Sequence, residues 1–99
     1  MAPRTSTIRT DGPVSSLGSR LKFRREQCGL SQTGLSRMSG VPSTTVTRLE
    51  SGDRGAELEN LLALAQALGC SGGWLVFGEG VLPPPPDIPD EFRDQRRRK

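Results

Sequence analysis

Residues 29–52 read GLSQTGLSRMSGVPSTTVTRLESG, a pattern of two short helices joined by a tight turn. Ser31 suits an N-cap, because its hydroxyl can accept from a backbone N–H that would otherwise lack a partner. From Gln32 the chain can run helical to about Ser39. Gly40 then stands just past a helix end, where a positive φ is often needed and only Gly adopts it freely. Pro42 fixes φ and suits a helix entrance rather than an interior. The second helix runs from Ser43 to Glu50 or Ser51 and stops at Gly52. Across the two helices and their turn, Leu35, Val41, Val46 and Leu49 are the apolar residues, and at 3.6 residues per turn 46 and 49 share a face. The other face carries Ser43, Thr44, Thr47 and Arg48. Short hydroxyls plus one Arg suit a DNA major groove, where such groups meet base edges. Taken alone, that face is explained as simply by a solvated surface.

The whole stretch, GLSQxxLSxxSGVPxxTVxRLExG, resembles the helix-turn-helix of the Xre/Cro-type, lambda-repressor-like DNA-binding domains. The resemblance implies an all-α, compact five-helix domain over about residues 17–80; the composition of 1–16 and of the proline-rich, charged 81–99 reads as flexible tails. The resemblance implies that Ser43, Thr44, Thr47 and Arg48 contact bases, and that Gln32 and Arg54 contact phosphates. It also implies an ion pair between Arg25 and Glu50 that sets the angle between the first and third helices.

Around this stretch, Ser15 or Ser16 can cap a first helix from Leu17 to Gln27. Leu17, Leu21 and Cys28 keep helical spacing in it. Arg24 stands where the family usually has an apolar residue. Gly34 is a weak helix former, at a cost of about 1 kcal/mol, and Met38 reads as exposed. After Asp53-Arg54, a fourth helix spans about Glu57 to Leu68, with Leu58, Leu61, Leu62, Ala65 and Leu68 as a core-facing stripe. A fifth begins after Ser71 and is weakened by Gly72-Gly73, with Trp74 and Leu75 as anchors. Leu75, Val76 and Phe77 cannot all face one core, so one is left for a partner or the tail. Residues 83–86 are four prolines, a stiff extended segment of about 12 Å at ~3.1 Å per residue. They are expected to separate the charged stretch 87–99, with Ile88, Phe92 and the basic cluster 96–99, from every helix. The arm 1–16, with Arg4 and Arg9, shows no periodicity.

Composition bounds the function. Ninety-nine residues allow one domain at most. No apolar run approaches the ~18 residues of a membrane span, so a cytoplasmic protein is expected. With two Cys and no His, a four-ligand zinc site and the usual general base are missing. The expectation is therefore no enzyme, no metal and no cofactor, with both thiols acting as small apolar groups. Residues 17–54 carry Arg20, Lys22, Arg24, Arg25, Arg37, Arg48 and Arg54 against Glu26, Glu50 and Asp53; residues 55–80 carry three acids and no base. That polarity turns the first half toward a polyanion. The expected partner is double-stranded DNA, bound by a homodimeric transcriptional regulator, a repressor. The competing reading is an antitoxin-type module that holds a protein partner through the C-terminal tail, with Ile88 and Phe92 as anchors.

Overall fold

Local chemistry starts and stops the helices. In the computed structural model, which describes residues 16–53 and 55–93, the order is α1 Leu17–Gln27, α2 Gln32–Ser39, α3 Ser43–Glu50, α4 Leu58–Ala67 and α5 Gly72–Phe77. A 3-10 turn, Asp90–Phe92, follows. Three helices carry a serine cap: Ser16 accepts from the N–H of Ser19, Ser31 from Gly34 and Ser71 from Trp74. Gly40 closes α2 in the left-handed region at φ 82°. Pro42 leads directly into α3. The five helices expected from the sequence are those observed.

The core gathers one or two residues from each helix. Leu21, Leu35, Val46, Leu49, Leu64, Leu68 and Leu75 are fully buried, with Val41 and Trp74 beside them. α1 packs on α3 and α5, α2 on α3 and α4, and α4 on α5. The α4 stripe is narrower than its spacing suggests. Leu64, Ala65 and Leu68 face inward, whereas Leu58 and Leu62 are 68% and 50% exposed. Leu62 lies one residue's rotation, ~100°, from Leu61, which carries it off the inward line. Leu58 is the first residue of its helix. Met38 is half-buried against the core rather than exposed. No helix among the described residues is long and apolar enough to cross a membrane.

α1 buries arginine where an apolar stripe is usual. Arg20, Arg24 and Arg25 are all buried, and each carries its charge to backbone carbonyls. Arg20 donates to Leu75 O and Val76 O near the end of α5. Arg24 donates to Leu68 O and Gly69 O at the end of α4. The last carbonyls of a helix lack partners within it and carry partial negative charge. A guanidinium with five donors in a fixed fork answers both needs.

Arg24 also explains a departure from the sequence reading. Its remaining donors reach Pro83 O at 2.8 Å, Pro84 O at 3.1 Å and Gln27 Oε1 at 2.8 Å. Polyproline backbone makes no internal hydrogen bonds, so its carbonyls are free to accept from a buried cation. The prolines therefore do not separate the C-terminal segment from the helices; they hold it there. Pro86 packs on Gly69, Ile88 is 4% exposed, and Leu30 and Arg93 form an antiparallel bridge. Arg37 sits 5.3 Å from the centre of the Phe92 ring. Gly34, costly to α2 by propensity, is required here: a Cβ on it would fall on the carbonyl oxygen of Phe92. Up to Arg93 the expected flexible tail is a strap over α1 and α2. The arm with Arg4 and Arg9 and the cluster 96–99 lie outside the described residues.

Candidate nucleic-acid interface

α3 divides its residues as its sequence divides them. Thr45, Val46 and Leu49 are buried, and Ser43, Thr44, Thr47 and Arg48 are exposed. The helix lies close under α1, because a Cβ at Gly18 would meet the carbonyl oxygens of Leu49 and Glu50.

The end of α3 is pinned by charge. Arg25 donates through Nε to Glu50 Oε2 at 2.7 Å and through Nη2 to Oε1 at 2.9 Å. Both side chains are nearly buried, at 10% and 5% exposed. Arg25 also donates to Leu30 O at 2.8 Å. Desolvation offsets much of the attraction in such a pair, so its value lies in orientation more than in stability.

The pair continues outward as a chain of hydrogen bonds. Gln32 Nε2 donates to Glu50 Oε1 at 3.0 Å, and Thr47 Oγ1 donates to Gln32 Oε1 at 3.0 Å. The first residue of α2 is thus joined to the exposed face of α3.

Arg48 is folded back along its own helix end. Its Nε donates to Asp53 Oδ2 at 3.0 Å and its Nη2 to Gly55 O at 3.2 Å. Asp53 Oδ1 accepts from the N–H of Gly55 at 2.7 Å. That backbone N–H, then Arg48, holds the Asp53 carboxyl below the usual carboxylate range. Sequence reasoning counted Asp53 only as a negative charge. The available signal was Asp53-x-Gly55, which favours a local side-chain-to-backbone turn. Arg54 lies outside the described residues. Ser43 and Thr44 stand exposed at the start of α3.

The charge polarity is thinner than the sequence count. With Arg20, Arg24 and Arg25 buried, the exposed cations among the described residues of this half are Lys22, Arg37 and Arg48. The two thiols are free. Burial pushes both Cys28 and Cys70 up, against the opposing charge of Arg24.

Comparisons with known proteins agree with this geometry. Residues 21–75 match the family described as Helix-turn-helix. The chain is 31% identical over 72 residues to the HTH-type transcriptional regulator DicA of Escherichia coli (strain K12), covering 73% of this chain and 53% of DicA. It is 35% identical over 63 residues to Repressor protein C2 of Salmonella phage P22, covering 64% of this chain and 29% of that protein. The chain thus spans about half the length of one curated relative and under a third of the other. Among solved structures, the P22 c2 repressor in complex with a synthetic operator superposes with a TM-score of 0.61 at 34% identity, over 65% of this chain and 97% of that one. The restriction-modification controller protein C.AhdI from Aeromonas hydrophila superposes with a TM-score of 0.57 at 39% identity, over 60% and 89%. With more than half of its residues inside the family match and the exposed second helix of the motif in place, the chain belongs to the helix-turn-helix family.

Proposed function

We propose that this chain is a sequence-specific double-stranded DNA-binding transcriptional regulator, a repressor acting as a homodimer on a pseudopalindromic operator. The observation that carries the reading is the α3 face. Four polar side chains stand exposed on a helix whose inner face and C-terminal end are both locked. In this reading α3 lies in the major groove, with Ser43, Thr44, Thr47 and Arg48 toward bases and Gln32 and Arg54 toward phosphates. The matched P22 c2 repressor, solved on a synthetic operator, supports the partner class. Leu58, Leu62 and Phe77, exposed on α4 and α5, which pack against each other, support a homodimer. The tail-docking alternative loses support, because Ile88 is spent inside this domain.

The test is a binding profile over all single-base variants of an operator selected from genomic DNA. Arg48→Ala is expected to cost about 1–3 kcal/mol on the parent site and to relax one base position in each half-site. Half-sites are expected about one helical turn apart, ~34 Å. Unchanged base preferences in Arg48→Ala would remove α3 from recognition.

A further inference from the structure

Resting on that reading of α3, we infer that Thr47 meets the groove as a hydrogen-bond acceptor and selects an amino base, adenine or cytosine, over a keto base, guanine or thymine. The argument is one of donor and acceptor polarity. Arg25 has donors only, and the Glu50 carboxylate has acceptors only. Glu50 Oε1 receives Arg25 Nη2 at 2.9 Å and Gln32 Nε2 at 3.0 Å. An amide carbonyl of Gln32 turned toward that carboxylate would face like charge, so the NH₂ end must point to Glu50. The Oε1 end is thereby turned toward Thr47, at 3.0 Å. Two oxygens at that distance need a proton between them, and only the Thr47 hydroxyl has one. That proton is committed to Gln32, and the hydroxyl's lone pairs remain for the groove.

In the major groove an acceptor meets only adenine N6 or cytosine N4, whereas a free donor would also meet the keto bases at guanine O6 and N7 or thymine O4, besides adenine N7. Gln32 is therefore a positioning residue for base choice in addition to any phosphate it binds with its second amide hydrogen. The buried Arg25–Glu50 pair is the fixed end of the chain.

The experiment is the single-base binding profile for the full chain, Thr47→Val, Thr47→Ser, Gln32→Ala and Arg48→Ala, each first checked by thermal melt. The parent is expected to favour an amino base at one position per half-site by about three- to tenfold, the scale of one net hydrogen bond. Thr47→Val abolishes that preference at that position alone, and Thr47→Ser retains it. Gln32→Ala leaves the Thr47 hydroxyl free to rotate, so keto bases become acceptable at the same position while all sites weaken together. A keto base preferred by the parent at the Thr47 position, or an amino preference that survives Gln32→Ala, overturns the inference and leaves groove reading by α3 intact. If neither Thr47→Val nor Arg48→Ala alters any base preference, the reading of α3 falls, and this inference with it.

Discussion

Replacing Arg24 by Met tests whether a buried cation organises this fold. Met keeps most of the side-chain length and removes all five donors. In the structure Arg24 is wholly buried and donates to Leu68 O, Gly69 O, Pro83 O, Pro84 O and Gln27 Oε1. A hydrogen bond from a charged group contributes about 1.5–3 kcal/mol, and an orphaned buried carbonyl costs about 1–3 kcal/mol. The bond to Leu68 O is buried and the others are part-buried, so water and the new apolar packing recover part of the loss. A net destabilisation of about 3–4 kcal/mol remains, near the low end for disrupting a buried ionic contact. Against a total stability of about 5–15 kcal/mol, that lowers the melting temperature on the order of 15 °C. Urea and thermal unfolding followed by circular dichroism would measure it. The strap adds a second arm. In a chain ending at Leu82, Pro83 O and Pro84 O are gone, so the same substitution should cost less, and the two changes should be non-additive. A loss under about 1 kcal/mol, or strict additivity with the truncation, would refute the assignment of Arg24 as the clasp between α4 and the strap.

Gly34→Ala should lower the melting temperature although Ala favours a helix by about 1 kcal/mol, because the new Cβ meets Phe92 O; a higher melting temperature would mean the strap yields freely there. Asp53→Asn keeps an acceptor for the Gly55 N–H but loses the charge that holds Arg48, so operator affinity should rise a few-fold at low salt and fall more steeply as salt is added. The sign with pH follows from the lowered Asp53 carboxyl: the charge is present above its depressed value, so the clamp on Arg48 is closed at neutrality and is lost as the pH falls through that value, at a lower pH than for an unpartnered carboxylate. Titration of operator binding by fluorescence anisotropy checks both, and an Asp53→Asn protein with parental affinity would mean that Arg48 exchanges partners without cost.

Features that depend on neighbours within a turn or two were legible in the chain of residues alone. Ser31, Gly40, Pro42 and Gly52 mark where α2 and α3 begin and end, because caps and positive-φ glycines act on backbone groups within about four residues. The polar face of α3 was legible for the same reason: helical spacing alone separates Thr44 and Arg48 from Val46 and Leu49. Tertiary structure decided everything that depends on an acceptor or a surface supplied from far along the chain. Arg24 looked misplaced on α1 because its backbone acceptors lie 44 to 60 residues away. Four prolines looked like a spacer because nothing local says that their carbonyls face a buried guanidinium. Gly34 looked like a defect in α2 until Phe92 came to lie against it. The hydroxyl polarity of Thr47 was out of reach for the same reason, since it is set by a buried carboxylate three residues along its own helix acting through a side chain on another. A residue's helical periodicity is written in its neighbours, but whether its polar atoms are satisfied inside the protein depends on which distant backbone the fold brings to them.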